Sequence, residues 1–187
     1  MTITALDPNT ALIVVDLQKG IAGRQAAHPV AEIVKQSAAL LDAFRKHELP
    51  VVLVNVSGVA PGRNEQPRMP ASFPAEFFEL LPELKQQPSD HVVTKRTWGA
   101  FTNTDLNDWL KKNDVTQVVC CGIATSAGVE STARFAQELG YNVTFAIDAM
   151  TDMSMEAHEN SVKRIFPRLG ETGTTAEILA LLEKRNG

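Results

Sequence analysis

The chain has 187 residues, a length that suits one domain spanning residues 1–187, and 44% of them are hydrophobic, which is enough for a sizeable core. The formal net charge is −4 with both signs mixed along the chain, so there is no electrostatic footprint for nucleic acid or for an anionic membrane. No apolar stretch approaches the ~20 residues that span a bilayer, and the first residues lack the basic start and apolar run of a signal peptide. The only cysteines, Cys120 and Cys121, are adjacent and cannot form an ordinary disulfide with each other, which predicts a reducing, cytoplasmic environment.

The first half of the chain carries three predicted strands. Ala11–Leu17 is a continuous apolar run that Asp16 interrupts only near its end, which is typical of a strand buried on both faces of a parallel sheet. His28 and Pro29 precede apolar residues at helical spacing. In order, this half predicts strand Ala11–Leu17, a helix that begins at His28-Pro29, strand Val51–Val56, a short helix over Glu76–Leu84 and strand His91–Lys95.

The second half repeats the alternation. Thr104 is placed to cap a helix that contains Leu106, Trp109 and Leu110. There follow strand Val115–Gly122, strand Tyr141–Ile147 ending at Asp148, a helix over Ser154–Phe166 that Pro167 stops, a weak strand near Leu169–Gly173 and a helix over Thr175–Lys184. Six strands that alternate with helices predict an α/β fold, a three-layer, doubly wound sheet of about six parallel strands with helices on both faces.

A long segment rich in glycine, proline and arginine, Ser57–Pro74, separates the second strand from the short helix. Loops of this length in compact domains are usually lids or binding loops. Arg63, Gln66 and Arg68 are candidates for contact with an anionic ligand there; the alternative is that they are solvated surface residues.

The stretch Val118–Arg134 reads as a buried strand, a tight turn and the start of a helix. In open α/β sheets such a turn lies at the carboxyl end of the strand, where free helix N–H groups face a ligand crevice. Thr125 or Ser126 is expected to cap the helix. The competing interpretation is that this unit only packs the sheet.

Candidate functional residues lie at the carboxyl ends of three predicted strands, and therefore at one edge of the sheet: Asp16, Lys95 and the turn Gly122–Gly128. A carboxylate beside an ammonium can handle a proton, because the lysine holds the aspartate charged or stabilises negative charge on a substrate. Two other readings remain open: Asp16 capping its turn, and a buried pair with a purely structural role.

Other common site types do not fit the sequence. The histidines lack the spacing of metal ligands, so we expect no metal. The sequence contains no phosphate loop, dinucleotide glycine pattern or Gly-x-Ser-x-Gly elbow, so we expect no cofactor. Cys120 and Cys121 fall inside a strand and are expected to be buried thiols on opposite faces. The histidines, read as surface or packing residues, are His28, His47, His91 and His158.

Three segments together resemble the isochorismatase-like (cysteine hydrolase) superfamily: VVDLQ around Asp16, TKRTWGAF around Lys95 and CGIATSAGVESTAR around Gly128. The resemblance covers nearly the whole chain. In most members it implies a cysteine nucleophile at a helix N-terminus, activated by the aspartate and the lysine. It also implies a cis peptide bond, here between Ile123 and Ala124, that helps to form the oxyanion hole.

Gly128 stands at the position of that cysteine. Glycine has no side chain to attack a substrate, which argues against covalent chemistry of the nicotinamidase and N-carbamoylsarcosine amidase type. True isochorismatases also have glycine there; in them the aspartic acid is thought to protonate the vinyl-ether carbon of isochorismate before water attacks. The resemblance therefore implies a hydrolase of a small carboxylated metabolite, with Asp16 as general acid and Lys95 as its partner.

Further expectations come with the same resemblance. The N–H groups around Ala124 and Gly128, next to Ile123, would bind an oxyanion or a carboxylate, and Trp98 and Phe101 would wall the pocket or pack in the core. A homodimer or homotetramer is also implied. The alternative function is a non-catalytic ligand-binding or assembly protein built on the hydrolase scaffold.

Overall fold

A six-stranded parallel sheet forms the centre of the molecule in the computed structural model, which describes residues 3–65 and 73–186. The strands lie in the order β3-β2-β1-β4-β5-β6, so the chain winds outward from β1 in one direction and then from β4 in the other. The α/β, doubly wound fold predicted from the sequence is confirmed. The strands are β1 Thr10–Val15, β2 Val51–Val56, β3 His91–Lys95, β4 Gln117–Ile123, β5 Asn142–Thr151 and β6 Glu171–Gly173.

Helices cover both faces of the sheet. They are α1 Lys19–Ala22, α2 Val30–Lys46, α3 Leu106–Lys112, α4 Glu130–Glu138, α5 Met155–Asn160, α6 Phe166–Leu169 and α7 Thr175–Glu183. A single π-helical turn, Thr125–Val129, leads into α4, and another, Ser161–Ile165, joins α5 to α6. None of the helices within the described ranges has the length and apolar character needed to cross a membrane.

Two hydrophobic cores lie on opposite faces of the sheet, as expected from strands buried on both sides. One core holds Cys120 together with residues of α3 and α4, and the other holds Cys121 together with residues of α2 and α7. Both thiols are free and buried, and burial raises the pKa of each. They are therefore packing residues, as their position inside a strand predicted.

Several predicted element boundaries are wrong, among them the end of β1, which is at Val15 and not at Leu17. The region Glu76–Leu84 forms two 3₁₀ turns, Ala75–Phe78 and Pro82–Leu84, because Pro82 begins a new turn. Pro167 does not stop its helix: it occupies the first turn of α6, where a proline needs no N–H partner. The preceding π-turn resets the hydrogen-bond pattern and makes that placement possible.

Strand β5 also continues past its predicted end at Asp148 and reaches Thr151. The register between β4 and β5 shifts between Cys120 and Gly122, so that the outer part of β5 contains extra residues. Asp148 lies in this part, and its Oδ1 accepts hydrogen bonds from the N–H and the hydroxyl of Thr175 at the start of α7. Its carboxylate thus satisfies the first N–H group of α7, whose N-cap is Thr174.

Candidate active site

The winding direction reverses between β1 and β4, and ligand crevices of open α/β sheets lie at such a switch point, outside the carboxyl ends of the strands. Asp16 directly follows β1, and the turn that contains Gly128 directly follows β4. Lys95 is the last residue of β3. All three sequence candidates therefore lie at the same edge of the sheet.

The structure brings the side chains of Asp16 and Lys95 into direct contact. The Lys95 Nζ donates a hydrogen bond of 2.7 Å to Asp16 Oδ2 and a second one of 3.2 Å to the carbonyl oxygen of Thr97. Only 5% of Asp16 and 2% of Lys95 are exposed to solvent. A buried ion pair of this kind needs close geometry to offset the loss of hydration.

The backbone of Asp16 turns sharply where the strand ends. Its φ is 51°, in the left-handed region that few residues other than glycine adopt, although aspartate and asparagine tolerate it better than most. Its N–H still donates to the carbonyl oxygen of Val54, so the sheet pairing continues up to this residue. Such unusual backbone conformations cluster at functional sites.

The environment of Asp16 favours the neutral carboxylic acid more than water does. Burial raises the pKa of Asp16 to about 6, although the nearby Lys95 charge and its hydrogen bond act in the opposite direction. The second carboxyl oxygen, Oδ1, is buried and has no hydrogen-bond partner among the described residues. At neutral pH a small but useful fraction of this group keeps its proton, as general acids require.

Gly128 packs closely against the carboxyl group, with too little room for a side chain. A Cβ atom at this position would lie 3.2 Å from Asp16 Oδ2 and 2.9 Å from Val15 Cγ1, the second distance being shorter than real Cβ atoms show. The peptide bond between Ile123 and Ala124 is cis, at the position that the family resemblance implies. The turn therefore brings buried backbone, which carries no side chain at Gly128, next to Asp16.

The expected helix cap at Thr125 or Ser126 is wrong. Neither side chain caps the helix; Thr125 Oγ1 lies 2.8 Å from Nδ1 of the buried His158, and Ser126 donates both its N–H and its hydroxyl to Oδ2 of Asp152. These contacts tie the turn to the segment that follows β5, because the extended β5 delivers Asp152 to the same edge. Sequence reasoning missed Asp152 because it placed the end of β5 too early.

The oxyanion role predicted for the backbone of Ala124 and Gly128 stays a prediction. Three neighbouring amides already donate within the protein: those of Ala127 and Val129 to the carbonyl oxygen of Ala124, and that of Ser126 to Asp152. Any anion bound at this turn would therefore have to use the remaining N–H groups.

The two aromatic residues after Lys95 have different surroundings. Trp98 is 65% exposed. Phe101 is 8% exposed and belongs to the core, with its ring centroid 6.2 Å from that of Tyr141, which precedes β5 at the opposite edge of the sheet. Phe101 thus packs in the core, which is one of the two roles considered for it, and a part in the pocket wall stays a prediction.

A buried glutamine that sequence reasoning did not select anchors the other side of the site. Gln18, two residues after Asp16, is fully buried; its side-chain amide exchanges hydrogen bonds with both backbone groups of Val56 and donates to the carbonyl oxygen of Phe77. It thereby fixes the chain that returns from the long loop. Gln18 could have been selected from the sequence, because it belongs to the VVDLQ segment that carries the resemblance.

The long loop itself is described only in part. Arg63 is exposed, in agreement with a solvated residue, whereas Gln66 and Arg68 lie outside the described residues. Within the described ranges, no three histidine, cysteine or acidic side chains are grouped so that they could hold a metal ion. Among the histidines, His158 is buried and packs edge-on against His28, with ring centroids 4.7 Å apart.

A family model, related sequences and solved structures all match this chain over most of its length. The model of the family described as "Isochorismatase domain" matches residues 10–177. An uncharacterized isochorismatase family protein of Bacillus subtilis, YwoC, is 42% identical over 91% of this chain and 92% of its own length. A solved structure of an isochorismatase family protein from Burkholderia thailandensis superimposes with a TM-score of 0.93 at 39% identity, covering 97% of this chain and all of that chain. The streptothricin hydrolase of Streptomyces noursei is 33% identical over 74% of this chain and 48% of its own length.

Proposed function

The chain belongs to the isochorismatase family of hydrolases, and we propose that it cleaves the vinyl ether of a small carboxylated metabolite of the isochorismate type, without a covalent intermediate. The observation that carries the proposal is a buried carboxyl group beside a glycine, with a raised pKa and one oxygen that no described residue hydrogen-bonds. Asp16 supplies the proton, and water supplies the nucleophile.

The two oxygens of Asp16 have different partners, which suggests different tasks. Oδ2 accepts the hydrogen bond from Lys95, so the acidic proton resides on Oδ1, the buried oxygen without a partner. This proton is transferred to the methylene carbon of the enol ether, and the adjacent carbon becomes an oxocarbenium centre. The carboxylate left on Asp16 is then stabilised by the ammonium of Lys95 at 2.7 Å.

Water completes the reaction. Its oxygen bonds to the oxocarbenium carbon and loses a proton to give a hemiketal. The hemiketal then collapses: its hydroxyl loses a proton while the carbon–oxygen bond breaks and the leaving oxygen takes up a proton. The products are pyruvate and a dihydrodiol acid, and Asp16 regains its proton from solvent.

Gly128 suits this chemistry better than acyl transfer. A nucleophilic side chain is needed to form a thioester, and a glycine has none. The packing also disfavours a side chain here, because its Cβ would lie 2.9 Å from Val15 Cγ1 and 3.2 Å from Asp16 Oδ2. Placement of the substrate against a fixed acid lowers the entropic part of the activation barrier. In well-oriented systems this reduction reaches about 7–11 kcal/mol.

The proposal is tested by pyruvate release from isochorismate, followed for the parent protein, Asp16→Ala and a control, Asp7→Asn. Asp7 lies at the opposite edge of the sheet, where its Oδ2 accepts from Thr116 and Asn142. We expect release by the parent and by Asp7→Asn and loss of release in Asp16→Ala. Absence of release by the parent would refute isochorismate as substrate, and undiminished release by Asp16→Ala would refute the role of the acid.

A further inference from the structure

One buried hydroxyl connects the two segments that form the candidate active site. Thr132 lies in α4, is fully buried, and donates from Oγ1 to the carbonyl oxygen of Gly128 at 2.7 Å. The same Oγ1 accepts the N–H of Ala100 at 3.1 Å. A threonine bond to the carbonyl four residues earlier is ordinary in helices, but the second bond, to a different segment, is not explained by helix geometry.

Ala100 belongs to residues 96–101, which fold back over Lys95. Within this segment Lys95 Nζ donates to the carbonyl oxygen of Thr97, and the Thr97 hydroxyl donates to that of Gly99. The segment lies close on α4: a Cβ atom at Gly99 would be 3.3 Å from the backbone oxygen of Ser131. A continuous path of hydrogen bonds and short backbone links therefore runs from the ammonium of Lys95 to Thr132.

From this path we infer that Thr132 is a positioning residue, which sets the location of Lys95, and through it Asp16, relative to the turn at Gly128. The inference rests on the proposed function, because it assigns Thr132 a role in that reaction. Thr132 itself touches neither Asp16 nor Lys95 and acts only through Ala100 and Gly128. A displacement of about 1 Å in such an arrangement is enough to reduce turnover about 100-fold.

The variants Thr132→Val and Thr132→Ser separate positioning from packing. Valine has nearly the same shape but removes both hydrogen bonds and leaves the N–H of Ala100 buried without a partner, whereas serine keeps the hydroxyl. Thr10→Val is a matched control. Thr10 is also fully buried, and its Oγ1 lies 2.7 Å from both the carbonyl oxygen of Asp7 and Oε1 of Gln117, but at the opposite edge of the sheet.

Two readouts are needed: kcat and KM for pyruvate release from isochorismate, and the titration of the Asp16 carboxyl group followed by carbon NMR without substrate. We expect Thr132→Val to lower kcat at least tenfold with KM changed less than about twofold, and to move the titration midpoint of Asp16. Thr132→Ser should restore both values. Thr10→Val should lose stability while keeping the parent kcat and the parent midpoint.

A purely structural role for Thr132 predicts a different pattern, in which Thr132→Val and Thr10→Val both lose stability and both keep the parent kcat and midpoint. That result would overturn the inference and leave the proposed function intact. If the parent releases no pyruvate, the proposed function fails, and the NMR titration alone decides the inference: an Asp16 midpoint in Thr132→Val equal to that of the parent overturns it.

Discussion

The replacement Gly128→Ala tests how closely the turn at residue 128 packs against Asp16. The added methyl group would lie 2.9 Å from Val15 Cγ1 and 3.2 Å from Asp16 Oδ2. Val15 is fully buried in the central strand, and β-branched side chains have few rotamers with which to yield. The methyl group must therefore displace either the strand or the carboxyl group.

The size of the effect on stability follows from two opposing contributions. Overpacking of a buried site costs about 1–3 kcal/mol. Replacement of glycine by alanine within a helical segment gains about 0.5–1 kcal/mol, because the unfolded chain is less flexible and alanine favours helix. We expect a net loss of about 0.5–2 kcal/mol in the free energy of unfolding. We expect a larger effect on turnover, at least tenfold, because the methyl group presses on Val15 and Asp16 and displaces the acid from its position.

Urea denaturation and pyruvate release from isochorismate measure the two effects, with Gly62→Ala as control. A Cβ atom at Gly62 meets no heavy atom of the described residues within 4 Å, so this control should leave the free energy of unfolding without the overpacking loss. A Gly128→Ala protein that is more stable than the parent and fully active would refute the reasoning, because it would mean that the position has room to spare and that the substrate does not use it.

Three further predictions follow from the same contacts. Lys95→Met removes the charge that lowers the pKa of Asp16, so the carboxyl group should titrate above about 6 by carbon NMR. Gly128→Cys places a thiol beside the Asp16 carboxyl group; it should abolish pyruvate release and be alkylated by iodoacetamide at residue 128, as measured by mass spectrometry, and an unreactive thiol would contradict the assigned geometry. Phe101→Ala should destabilise the protein by about 3–5 kcal/mol in urea, because a buried ring is lost, whereas Trp98→Ala, at a largely exposed residue, should change stability by no more than about 0.5 kcal/mol.

Much of the fold could be predicted because the hydrophobic runs are short and clearly bounded. Strands β2 and β3 have the predicted limits, since Pro50 precedes one apolar run and a polar turn precedes the other. The end of β5 was not predictable, because its outer part follows a shift in register against β4 that depends on tertiary packing. The prediction that Pro167 stops its helix failed for a related reason, because a π-turn changes where a helix tolerates a proline.

Some residues of the candidate site could be predicted from the sequence and others could not. Asp16 and Lys95 could be selected because polar residues that end buried parallel strands meet at one edge of the sheet. Asp152 and His158 could not, because each contacts the site from a segment distant in sequence and their spacing carries no recognisable pattern. Thr132 lies within the segment that carries the resemblance, but its bond to Ala100 joins segments that the sequence does not show to be close. The preference of threonine and serine for helix caps was outweighed at residues 125 and 126 by these partners.

The pH dependence of kcat/KM for pyruvate release from isochorismate tests most directly whether Asp16 acts as the general acid. The reactive form is the protonated carboxyl group, and burial raises its pKa to about 6. We expect kcat/KM to be constant at lower pH and to fall as the pH rises through about 6, approaching a tenfold decrease per pH unit. A kcat/KM that instead rises through the same range would mean that the carboxylate is the reactive form, as expected for a base that activates a nucleophile, and would contradict acid-catalysed cleavage.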